Sequence, residues 1–171
     1  FDYLYGRFLG AFAVAALGFL AAPLGLWLGS VMPWIDPETM GPNRLAYYAW
    51  PYFVLALPNI LVTAAIFFAL ATGLRSMMAT YLGVVGFLIL YIVVNTSLGT
   101  NPELQETLAI ADAFGIGAFS QVTRYWTAAE RNLLLPDLAG FILWNRLLWT
   151  GVGVAFLGLA YALYRFADRG M

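Results

Sequence analysis

The chain has 171 residues, of which 63% are hydrophobic and 10% charged, with a net charge of −1; an ordinary soluble domain carries roughly 25% charged residues, and a water-soluble fold could not hide this much apolar surface. The absence of Cys and His removes disulfides, thiolate nucleophiles, an imidazole base and the commonest metal ligand, so no cofactor is expected. Basic residues are few and scattered, so nucleic acid is not expected as a partner.

Arg7 is followed by 28 uncharged residues before Asp36, and residues 8–32 are read as the first membrane span, since roughly 20 apolar residues cross a bilayer core as helix. Pro23 lies inside it and predicts a kink, because proline frees the carbonyl four residues back. Gly6/Gly10 and Gly25/Gly29 are small-xxx-small pairs that would let another helix approach closely. Asp36, Pro37 and Glu38 then suit the start of a short helical turn in the first connection.

Thirty uncharged residues separate Arg44 from Arg75 and another 27 separate Arg75 from Glu103. They form a transmembrane hairpin, with spans at 46–74 and 77–96 joined by the turn Gly73-Leu74-Arg75-Ser76. In the first of these, Pro58 frees the carbonyl of Val54. Asn59 places an amide where lipid cannot satisfy it, so the amide must face protein or a water-filled cleft. One reading makes this the flexing point of a moving helix; the other is a static kink whose Asn bonds a neighbour. In the second, Gly83 and Gly86 thin one face.

Residues 98–138 form a long connection with structure of its own. A short helix is expected at 104–111 after Pro102. From Ala118 the apolar positions 118, 119, 122, 125, 126 and 129 follow a helical period, and Tyr125 and Trp126 suit the membrane interface. Thr127 and Glu130 fit a capping box, which would start a fresh turn. The fourth span is read at 139–166, with Arg146 near its outer end. Arg146 is expected to snorkel to headgroups beside Trp144 and Trp149, or to pair with Glu130 or Asp137 and so fix the outer segment over the bundle.

The chain is therefore expected to be all-α: one polytopic transmembrane domain, residues 1–171, with four spans and short outer interfacial helices. Lipid-flanking arginines mark the cytoplasmic side. Placing Asp2, Arg7, Arg75, Arg165, Asp168 and Arg169 inside gives +2, and the connections outside sum to −4. Both ends of the segment would then be cytoplasmic. Phosphate-cradling loops, zinc-peptidase helices and serine-hydrolase elbows are missing from the sequence, so it is not expected to be an enzyme. Pro58, Asn59 and Arg146, with Gly25 and Gly29, are the candidate gating or packing residues.

Several stretches resemble the permeases of ABC-2 type transporters, nearest to bacterial permeases fused to an M1 aminopeptidase-like domain. They are Tyr3-Leu4-Tyr5-Gly6-Arg7-Phe8-Leu9-Gly10, Gly29-Ser30-Val31-Met32-Pro33-Trp34-Ile35-Asp36-Pro37-Glu38, Leu57-Pro58-Asn59, Phe68-Ala69-Leu70-Ala71-Thr72 with Arg75-Ser76, Thr123-Arg124-Tyr125-Trp126-Thr127-Ala128-Ala129-Glu130-Arg131-Asn132, and Asn145-Arg146-Leu147-Leu148-Trp149. Asp112-Ala113-Phe114-Gly115 departs from the pattern, which would have Pro at 113. The resemblance implies the last four spans of a six-span permease, in an excerpt of a longer chain. It further implies a second permease bundle and a separate ATP-hydrolysing subunit as partners, in the inner membrane of a bacterium. The other reading of the same residues is a non-transporting membrane anchor for a fused or associated peptidase or other partner.

Overall fold

A computed structural model describes residues 2–36, 40–74 and 76–168. The turn assigned to Pro37 and Glu38 and the charges assigned to Arg75 and Arg169 fall outside the described residues, as do the side chains of Asp2, Arg165 and Asp168. Among the described residues the secondary structure is helical throughout. Four stretches are long and apolar enough to cross a membrane, Tyr3–Ser30, Leu45–Leu74, Met77–Thr96 and Gly140–Tyr164, and the chain is a helical membrane bundle. The architecture follows from the solvent: in a bilayer core every backbone N–H and C=O must be satisfied internally, which long helices do.

The first span is α1 (Asp2–Ser30), helical through Pro23. The second is built in three pieces, α2 (Leu45–Trp50), a π-helical segment Pro51–Ala56, and α3 (Leu57–Leu74). The third is α4 (Met77–Gly99) and the fourth α8 (Gly140–Asp168). Between them lie α5 (Gln105–Ala111), entered through a 3₁₀ turn at Pro102–Leu104, α6 (Ile116–Val122) and α7 (Ala128–Leu133). These three short helices form a cap over one end of the bundle.

The irregularity expected at Leu57-Pro58-Asn59 is placed one turn earlier. The Leu57 N–H donates to the Tyr52 carbonyl, five residues back. Pro58 has no N–H, and its ring would collide with the carbonyl of the preceding turn. Widening that turn to π geometry makes room for it, and such π-bulges are a known cause of helix bending.

α3 is the centre of the bundle. Its inward residues Ile60, Val62, Ala65, Ile66 and Ala69 are buried, and α8 crosses it closely enough that a Cβ on Gly153 would sit 3.4 Å from the Val62 Cα. Lipid tails are as apolar as leucine, so such helix contacts depend on close van der Waals approach. Gly73, opposite Leu163, and Gly83, opposite Leu70, thin two further contacts, with 3.0 and 3.1 Å to the respective Cδ1 atoms. Gly86 meets nothing within 4 Å.

α1 and α4 are peripheral. α1 touches α3 through Phe8 on Phe68, with ring centroids 5.5 Å apart, and accepts a 2.8 Å hydrogen bond at the Ala16 carbonyl from the Tyr52 hydroxyl. No neighbouring atom lies within 4 Å of where a Cβ would stand on Gly6, Gly10, Gly25 or Gly29; the small-residue pairs of α1 pack against nothing within the described residues. α4 leans on α3 through Phe87 against Phe67, 5.9 Å between centroids.

The cap differs from its sequence reading in one respect. The helical period expected to run from 118 to 129 is broken: α6 ends at Val122, and Thr123–Thr127 turn before α7 begins. The capping box at Thr127 and Glu130 is present with both reciprocal bonds. It makes Thr127 a helix start, and so prevents one continuous helix.

Candidate functional site

Where the cap meets the spans, the structure assembles a buried polar cluster from three separate stretches. Asn59 comes from the first turn of α3, Asn145 and Arg146 from the second turn of α8, and the turn Asp112–Gly115 from between α5 and α6. Asp112, Asn145 and Arg146 are all buried.

Gly115 explains the local turn. Its φ is +76°, a left-handed conformation that glycine adopts without steric cost. A Cβ there would also collide with the Arg146 guanidinium, meeting its Cζ at 2.7 Å. The guanidinium lies directly against the glycine backbone. As the residue capping α6, Gly115 has no side chain to offer, and Asp112 acts in its place. One carboxylate oxygen accepts the Phe114 N–H at 3.1 Å, and the other accepts the Gly117 N–H at 2.6 Å inside the first turn of α6. Asp and Asn commonly bond a backbone N–H two residues on, and a carboxylate is stabilised at a helix N-terminus.

Arg146 donates from Nε at 3.0 Å and from Nη2 to the Asn145 carbonyl oxygen. From Nη1 it donates at 2.8 Å to the Asn59 carbonyl oxygen on the neighbouring span. Asn59 returns its own amide to the Phe114 carbonyl at 2.9 Å. The Asn145 amide donates to the carbonyls of Ala109, Ile110 and Asp112 at 2.9, 2.9 and 2.8 Å, taking up the end of α5. Asp112 supplies negative charge close to the guanidinium, and Tyr91 of α4 brings its hydroxyl towards the same carboxylate. The Phe114 ring, at the tip of the turn, is gripped by Tyr91 and Phe87 at 4.6 and 6.3 Å between centroids. All of the spans except α1 thus contact this turn.

Arg146 does not take the role expected of it. It neither snorkels outward nor pairs with Glu130 or Asp137. It is 6% exposed and turned inward, because two amide oxygens and a side-chain-free glycine backbone offer a planar guanidinium a complete socket. Glu130 is engaged elsewhere, accepting from the Thr127 N–H at 2.7 Å and hydroxyl at 2.8 Å. Those bonds, the backbone one first, hold its carboxyl below the ordinary carboxylate range. Asn59 faces protein. Pro58 stands one residue before it, and Gly25 and Gly29 are far along α1 from the cluster.

Asp112, Gly115 and Asn145 carry no role in the sequence reading. Asp-x-x-Gly between two short apolar helices was the signal for the turn, and an Asn-Arg pair inside a span was the signal for the socket. Among the described residues the one buried side-chain polar atom without a partner is Trp149 Nε1, and no group of three acidic or other metal-ligating side chains occurs. The cluster offers no unbonded nucleophile. Its chemistry is that of a fastener: charge-assisted bonds in a low-dielectric setting, strong when complete and costly to open.

No family model, no curated protein and no solved structure matches this chain.

Proposed function

We propose that the chain is the membrane-spanning permease part of an ABC-type transporter, supplying the translocation path and gate while a separate subunit hydrolyses ATP. On this reading a second permease bundle completes the path, the membrane is the inner membrane of a bacterium, both ends of the segment are cytoplasmic, and the cap faces outward. The motif resemblance supports the family. The observation that carries the mechanism is the position of the Asn59–Arg146 bond. It crosses from α3 to α8 directly after a π-helical segment bounded by Pro51 and Pro58, so the polar contact between two spans stands next to the joint at which one of them can flex. Movement transmitted along α3 would act first on that bond and on the cap it holds.

The experiment is co-purification followed by reconstitution. An ATP-hydrolysing subunit should accompany the protein. Pro58→Ala, which restores the missing helical bond, should lower transport more than ATP hydrolysis. If no ATPase accompanies the protein and transport is absent, the chain is the anchor of the alternative reading. A static scaffold would share the complete bonding of the polar cluster, so the co-purification decides between the two.

A further inference from the structure

A second feature of the cap is absorbed neither by the cluster nor by the transport reading. Between the start of the second span and the outer face of α6 and α7 lies a half-open cavity of about 590 Å³, within the roughly 300–1,000 Å³ typical of small-molecule sites. Its walls are Trp50 and Leu55 on the span, Phe119 on α6, Trp126 in the following turn, and Leu135 beyond α7. Trp50 and Phe119 stack at a tilt, 6.1 Å between centroids, and the Tyr47 hydroxyl ties the span to α7 by a 2.8 Å bond to the Leu133 carbonyl. The cavity is therefore a built cleft between two bonded elements.

Two observations decide what it takes. Tyr47, Trp50 and Trp126 cluster at the end of a spanning helix, where amphipathic aromatics mark the water–lipid boundary, so the cleft opens at headgroup level beside the acyl chains. Among the described residues that line it, Arg131 is charged and none is a carboxylate. The guanidinium makes a 3.5 Å contact with the Thr123 carbonyl, and no ion pair engages it among the described residues. An apolar cleft with an arginine at its polar end complements an amphiphile with an anionic head.

We propose that this cleft is a binding site for an anionic membrane phospholipid, one acyl chain lying along Trp50, Leu55 and Phe119 and the phosphate at Arg131. The site rests on the membrane placement of the bundle and is independent of the transport reading. An Arg near a membrane surface is worth about 1 kcal/mol towards anionic lipid, which corresponds to about fivefold.

The test is native mass spectrometry of the full chain released from nanodiscs of phosphatidylglycerol and phosphatidylcholine in a one-to-four mixture. The wild-type protein should retain phosphatidylglycerol enriched about fivefold over the bulk ratio. Arg131→Gln, at an exposed position, should abolish the enrichment. Leu55→Trp, which fills the cleft, should lose the retained lipid altogether, and Arg124→Gln, a charge of the same cap outside the cleft, should change nothing. Equal retention of the two lipids by the wild type, an Arg131→Gln protein indistinguishable from it, or an equal effect of Arg124→Gln would each overturn the site. So would a second copy of the chain, retained without lipid.

Discussion

α8 and α1 are equally long and similarly apolar, and both lie against α3, yet α3 holds them in different ways. Against α8 it has the backbone-to-backbone approach at Gly153 and Val62, a charge-assisted bond from Arg146 to Asn59, and a shared turn of the cap. Against α1 it has one ring contact and, from the π segment that precedes it, the hydrogen bond of Tyr52. Hydrophobicity does not distinguish the two helices, because in lipid it supplies no force between them. Close approach and polar bonds do. The α3–α8 pair with its cap is the firm unit, and α1 is attached to it.

That contrast can be broken most severely at Arg146. Arg146→Met removes the donors that satisfy Asn59 and Asn145 and leaves Asp112 buried without its nearby cation; breaking a buried charged cluster from one side costs about 3–5 kcal/mol. The loss should show as a lowered thermal midpoint in detergent or nanodiscs. Gly115→Ala comes next, at roughly 1–3 kcal/mol for the left-handed backbone alone, with the displaced guanidinium adding to it. Asn59→Leu should cost about 1–3 kcal/mol by stranding Arg146 Nη1 and the Phe114 carbonyl, and combined with Arg146→Met it should be far from additive.

Two smaller predictions sharpen the contrast from its weak side. Gly25→Leu and Gly29→Leu should leave the stability of the isolated chain within about 0.5 kcal/mol, since nothing among the described residues approaches those positions; a loss of assembly without a loss of stability would show that they face another chain. At Glu130 the carboxyl is lowered by its bonds to Thr127. The capping box therefore contributes fully above the ordinary carboxylate range, and its contribution fades as the pH falls through the depressed value. The amide of Arg131, which bonds the Thr127 carbonyl at 3.0 Å, should lose protection from hydrogen exchange across that window. Glu130→Gln should remove the pH dependence.

The spans were legible in the sequence because uncharged stretches of this length have few other uses, and the capping box because its spacing encodes its own bonds. Pro58 announced an irregularity, but which turn yields depends on where the helix has room to widen. Asn59 announced a polar partner without naming it. The inward facing of Arg146 is not legible, because a sequence shows its depth in the helix and not the direction it faces: an arginine one or two turns inside a span can reach water, unless the chain folds a turn over it. That turn, Asp112–Gly115, read as a local departure in a connecting segment. Its meaning lies in the distant Asn59, Asn145 and Arg146 that converge on it, and no local pattern records such a convergence.

The polar cluster, rather than the apolar surface of the short helices, holds the cap on the spans. Hydrogen exchange of the protein in nanodiscs, wild type against Arg146→Met, measures this directly. The amides of α5 and α6 should lose at least about a hundredfold in protection, while those in the middle of α3 and α8 keep theirs. A cap as well protected in the variant as in the wild type would contradict the account.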